Sequence, residues 1–312
     1  MQATSTSKVG PIPKEPVTFV KEIQLMMFGL GDSPTPLLST ALVVESIVFE
    51  QIKTFVEILE ESANRRESDI ITQNDVLFLL RKDKHKLHRL LNYISIKESR
   101  HSLKSAMSGS ATHTNKEDPT VIPGIIEKKG KLQCIDFLKS IGVTLELCDA
   151  ENINKERDLR LFNHVTNMSN ESYSTHYSEA RRASFATTGL SNTQFLEWLK
   201  SRSIDFPINK IKSLAADMLI YLAKETVAQL VDLAFLVRQD TNMVPGEPFS
   251  HAQQAGCLPY DSFGPAQRQI DGAPPLHPNE IREVLRRYWS TQSHPWGSFS
   301  VDITCRAYQR LL

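Results

Sequence analysis

The chain has few cysteines, four in 312 residues: Cys134, Cys148, Cys257 and Cys305. None forms a CxxC pair, so neither a disulfide framework nor a zinc site is indicated, and reduced thiols fit the cytosol or nucleus. A basic excess is also missing, since 36 Lys and Arg balance 36 Asp and Glu. Proteins that wrap duplex DNA by charge carry such an excess, so that class is disfavoured. The opening MQATSTSKVGPIPKEP lacks an apolar signal core, and residues 1–16 read as a disordered tail. No dense Lys/Arg nuclear signal stands out, which leaves nuclear entry to a partner. Gly29-Leu30-Gly31 lacks the third glycine and the strand–helix setting of a phosphate loop, and reads as a helix stop. No nucleophile–base constellation is evident. The expectation is therefore a protein without catalytic residues, bound cofactor or metal.

What is present is helix. Asn209 to Asp240 contains no Gly and no Pro, and as one helix would run roughly 48 Å. Ile211, Leu214, Met218, Leu219, Leu222, Val227, Leu230, Leu233, Ala234 and Val237 recur in steps of three and four that mark buried faces. Asp217, Glu225, Asp232 and Gln239 form a polar stripe. The apolar runs are too interrupted by charge to span a membrane. Such a helix needs partners along its whole length.

The front of the chain supplies a match. Residues 17–30 form a short amphipathic segment, and GDSPTP (31–36) breaks it. Leu37 to Asn64 is a second long helix with a stripe of Ala41, Val44, Val48, Ile52, Phe55 and Leu59. Ile70-Ile71 is a brief extended piece. Thr72 and Asp75 have capping-box spacing and open a short helix, 73–80, followed by another, 83–94. Short helix, long helix, extended dipeptide, short helix: this order resembles a histone fold. It returns at the back as 192–203, 209–240 and 279–288, the last with Pro278 at its first position. A single histone fold cannot bury its long helix alone. The expected architecture is all-α, with two histone folds in one chain paired head to tail at high effective concentration. The divisions are a tail (1–16), a first histone fold with an extra C-terminal helix (17–96), a linker with weak helices at 132–147 and 152–168 (97–190), a second histone fold (191–290) with a long loop (241–277), and a C-terminal tail (291–312). The weak helices are expected on the surface of a flanking unit, and 169–189 is expected to be loop.

FVKEIQLMMFGLGDSPTPL, ALVVESIV and DVLFLLRKDKHKLHRLLNYI, with ADMLIYLAKETVAQLVDLAFLVRQD, GEPFSHA and PNEIREVLRRY, resemble the suppressor-of-Ty class of histone-fold subunits of the SAGA coactivator. The resemblance covers about residues 17–100 and 130–290. It implies a non-enzymatic nuclear transcription coactivator subunit. It implies partners among the other histone-fold and scaffold subunits of SAGA, and the TATA-binding protein, which the family helps deliver to RNA polymerase II promoters. Nucleic acid would be touched at most indirectly, and no membrane is involved. A histone-like duplex DNA-binding protein is the alternative, but it predicts basic loop ends, and Asp32, Glu67, Asp69 and Asp205 sit there instead.

Individual residues offer further candidates. Glu225, Asp232 and Asp240 are candidates for an acidic docking strip for a basic partner such as the TATA-binding protein; the plainer reading is a charged outer face. Arg81, Lys82, Lys84, Lys86 and Arg89 make the densest basic run, a candidate for phosphates or an acidic partner against a solvated face. His85 and His88 lack further ligands for a metal. Arg181-Arg182-Ala183-Ser184 has the form of a basophilic kinase site at Ser184, against an unmodified loop serine. Phe249 and Tyr260 are aromatic anchors in the long loop. Leu230 is expected at the crossing of the long helices.

Overall fold

The computed structural model describes residues 17–107, 129–143, 152–166, 173–186, 192–203, 206–241 and 274–292. The N-terminal tail, residues 108–128, Asp205, the loop bearing Phe249 and Tyr260, and residues 293–312 lie outside the described residues. Helix α1 (Val20–Gly29) leads to α2 (Leu38–Arg65), α3 (Gln73–Leu80) and α4 (Lys84–Met107). Then come α5 (Lys129–Ser140), α6 (Asn152–Thr166), a π-turn (Tyr173–Tyr177) and the short α7 (Ser178–Arg182). The back of the chain holds α8 (Thr193–Arg202), a 3₁₀ turn (Ile208–Lys210), α9 (Ser213–Thr241) and α10 (Pro278–Gln292). Among the described residues the chain is helical without strands, apart from one isolated bridge.

The stripe on α2 is buried as its period demands: Ala41, Val44, Val48, Ile52 and Leu59 have no exposed surface, and Phe55 is nearly covered. Glu50, Glu57, Glu61 and Asn64, on the opposite side, are exposed. The end of α1 is a Schellman stop. Asp32 N–H donates to Met27 O at 3.1 Å and Gly31 N–H to Phe28 O at 3.0 Å, with Gly31 at φ +104°. Helix α2 ends the same way, but its left-handed residue is Glu67, at φ +56°. Thr72 and Asp75 form the expected cap: the Asp75 carboxylate accepts from Thr72 N–H at 2.8 Å, and Arg66 grips it with Nε at 2.8 Å and Nη2 at 2.6 Å.

Helix α9 packs against α1, α2, α3, α4 and α10. Met218, Leu219, Leu222, Val227, Leu230, Ala234 and Val237 are all buried. The helix begins at Ser213 rather than 209. The reason is local: Lys210 O accepts from Ile71 N–H at 2.7 Å, and Lys212 N–H donates to Ile71 O at 3.1 Å. Ile211 is thus held extended in a parallel bridge to Ile71, directly after the 3₁₀ turn of Ile208–Lys210.

Four segments differ from expectation. Helix α4 continues to Met107 instead of stopping at 94, because nothing in SIKESRHSLKSAM breaks it. Residues 178–182 form a helix, with Tyr177 and Ala180 buried against α1, where 169–189 was expected to be loop. Helices α5 and α6 also give side chains to the interior, namely Cys134, Leu138 and Leu161, rather than lying on the surface. Gly29 explains the fit of α7. A Cβ there would stand 2.8 Å from Ala180 O, so only glycine lets the two backbones meet this closely.

Candidate docking surface

The polar stripe of α9 is not an outer face. Asp217 pairs with Lys97 of α4, and Glu225 with Arg89 Nη2 of α4 at 3.1 Å. Asp232 lies between two arginines of α6, Arg157 (Nε at 2.8 Å, Nη2 at 2.5 Å) and Arg160. The ionic contacts repeat along one side of α9, and each recruits a neighbouring helix. The Asp232 charge also favours the cationic form of Arg157, whose pKa is raised although burial acts the other way. The side chains of Glu225 and Asp232 keep only 12% and 13% of their surface exposed; Asp240, paired with Arg287, keeps 53%. The three carboxylates therefore do not form one outward strip. Asp240 faces solvent, whereas a partner reaching Glu225 or Asp232 would compete with arginines already in place.

The basic run also divides. Lys82 and Lys84 are exposed, as are His85 and His88. Arg81 folds back over Phe78, its guanidinium carbon 3.9 Å from the ring centre, and donates to Phe78 O at 2.6 Å. Lys86 turns inward beside Asp83 at 3.7 Å, and burial pulls its pKa down. Arg89 is taken by Glu225. Among the described residues no group of three or more His, Cys, Asp or Glu side chains is placed to hold a metal ion. No described helix is long and apolar enough to cross a membrane.

Ser184 follows α7 and is half-buried. Its hydroxyl donates to Ala186 O and accepts from Ala186 N–H, both at 3.2 Å. Next to it, Phe185 is fully buried among Phe19, Phe195 and Trp198. Lys224 of α9 donates to Ala183 O at 2.7 Å. Burial first, then Arg181 and Arg100, push its pKa down to about 8.

Two buried acids, Glu45 and Asp32, join the front and back of the chain, a role the sequence alone suggests for neither. Glu45, 1% exposed, accepts from Phe19 N–H at 2.8 Å, from the Trp198 indole N–H at 3.2 Å and from Arg202. The burial of Glu45 was legible even so, since it lies inside the buried stripe beside Val44, where a lone charge must find partners. Asp32 is not a charged loop end, contrary to expectation, but 1% exposed. Its Oδ1 accepts from Ser33 N–H at 2.8 Å and Leu276 N–H at 2.9 Å, while Thr40 donates to Leu276 O at 2.6 Å. Burial raises the Asp32 pKa, with the backbone donors and Arg238 opposing. Arg238 closes the corner by gripping Glu280 with Nε at 2.7 Å and Nη2 at 2.8 Å, and by donating to Pro274 O and Pro275 O. The partner of Asp32 is separated from it by 244 positions, which no local pattern reveals.

The arrangement offers ion-paired helices and an exposed acidic and basic periphery. Comparison with known proteins agrees in kind. The pattern of the family described as "Transcription initiation factor IID, 18kD subunit" matches residues 17–108, which places a histone-fold domain there. The SAGA complex subunit Spt3 of Schizosaccharomyces pombe is 28% identical over 287 residues, covering 85% of this chain and 88% of that protein. The SAGA complex subunit SPT3 of Saccharomyces cerevisiae is 30% identical over 309 residues, covering 85% and 89%. Transcription initiation factor TFIID subunit 13 of Arabidopsis thaliana is 34% identical over 96 residues, 31% of this chain and 73% of that protein. With such likeness along nearly the full length of its relatives, the chain belongs to the Spt3 family.

Proposed function

We propose that this chain is a non-enzymatic transcription coactivator subunit of a SAGA-type complex, working in the nucleus beside other histone-fold and scaffold subunits. Residues 17–96 and 191–290 are two histone folds paired head to tail within one polypeptide. The paired surface engages the TATA-binding protein and helps deliver it to RNA polymerase II promoters. The observation that carries the reading is likeness to Spt3 subunits over 85% of the chain. Supporting the pairing are the Ile71–Ile211 bridge, the packing of α2 with α9, and Glu45 joined to Trp198 and Arg202. Balanced charge and inward-turned basic side chains argue against direct duplex binding.

The test is binding of the full chain to purified TATA-binding protein, with Asp240→Lys and Glu225→Lys compared with the parent. A direct carboxylate contact predicts loss of roughly tenfold or more in affinity for at least one variant. Unchanged affinity in both moves the contact off this side of α9, and no binding by the parent chain sinks the role itself. A gel shift at physiological salt with duplex DNA should show no retarded band.

A further inference from the structure

The basophilic motif ahead of Ser184 stands in a setting that the coactivator role does not use. Arg181 and Arg182 end α7 and are exposed. Lys224 reaches across from α9 to the carbonyl immediately before Ser184, at 2.7 Å. The charges acting on Lys224 are Arg181 and Arg100, both positive. Its neighbour Glu225 turns instead to Arg89. Cations from α4, α7 and α9 thus act on one another around the half-buried Lys224 ammonium, which is held at the residue before Ser184, while Arg181 Nη1 donates to Gly29 O at 3.2 Å. Like charges held together in partly dry surroundings repel, and an anion between them relieves that repulsion.

We propose that Ser184 is a phosphorylation site whose phosphate is received by Lys224, Arg181 and Arg100, fastening α7 to α4 and α9. A basophilic serine kinase supplies the group from a nucleoside triphosphate. The bond from Ser184 Oγ to phosphorus forms, the bond from that phosphorus to the bridging oxygen of the departing diphosphate breaks, and the hydroxyl proton goes to the kinase's base. The product carries close to two negative charges and three acceptor oxygens, enough to engage more than one cation. The ester oxygen still accepts from Ala186 N–H, while the hydroxyl's bond to Ala186 O is lost. Phe185, fully buried, keeps the segment closed, so transfer occurs when residues 181–186 open, and the phosphate acts on reclosure.

The experiment treats the full chain with Mg-ATP and a basophilic serine kinase, locates phosphate by peptide mass spectrometry, and compares thermal midpoints. One phosphate at Ser184 and a rise of about 2–4 °C are expected. Ser184→Ala should take up none there and keep its midpoint. Arg100 is exposed and outside the kinase motif, so Arg100→Gln should accept the phosphate but lose much of the rise. The proposal is overturned by absence of phosphate at Ser184, by a midpoint that stays or falls after modification, or by an undiminished rise in Arg100→Gln.

Discussion

Helices α2 and α9 are nearly equal in length, 28 and 29 residues, yet they handle charge in opposite ways. On α2 the acids Glu50, Glu57 and Glu61 face water, Glu45 is turned in, and Glu60 alone of the outer acids reaches another element, at Lys210. On α9, Asp217, Lys224, Glu225, Asp232 and Arg238 all meet groups of other elements. The difference follows from position. Helix α2 has neighbours on part of its circumference, whereas α9 is enclosed by α1, α2, α3, α4 and α10, with α6 at Asp232. A polar stripe on a surrounded helix becomes a row of joints. Buried ion pairs of this kind fix which helix meets which rather than adding much net stability, but removing one partner is costly.

The largest test asks whether the two apolar faces are equal even though the polar ones are not. Leu230→Ala on α9 and Leu59→Ala on α2, both with no exposed surface, should each cost about 2–5 kcal/mol in chemical unfolding. A loss near zero at either site would break the symmetry. The middle test targets the charges. Asp232→Ala strands Arg157 and Arg160 and should cost about 2–3 kcal/mol, with faster proteolysis within α6. Glu57→Ala on the outer side of α2 should stay within about 0.5 kcal/mol. Equal effects would erase the contrast.

The smallest test is pH. Lys224 holds its proton less tightly folded than unfolded, with its pKa lowered from 10.5 to about 8. Between those values the unfolded chain binds more protons, so this group's contribution to stability rises with pH across the window and is lost as pH falls through about 8. Lys224→Met should flatten that rise, seen as a thermal-midpoint difference of about 2–4 °C between its two ends.

How much of this was legible in the sequence follows the range of the interactions. The stripe on α2, the cap at Thr72 and Asp75 and the proline opening α10 follow from spacing within a few residues, and each matches expectation; the extended Ile71 matches too, although its bridge is to the distant Ile211. What lay beyond reach depended on distant partners. The stripe through Glu225 and Asp232 has the same spacing whether it meets water or the arginines of α4 and α6. Helix α7 is only five residues long and owes its place to the missing side chain at Gly29, so its own sequence carries little signal. Asp32 reads as loop polarity until Leu276 is known to lie against it.

The bridge between Ile71 and Ile211 also has a consequence in time. The ribosome adds roughly 5–20 residues per second, so on the order of 10 s or more separates emergence of the first partner from emergence of the second. Throughout that interval the oily side of α2 has none of its final covering from α9. A nascent chain in this condition is a client for chaperones, and a truncation ending before Ser213 should accumulate as aggregate rather than as a smaller folded protein.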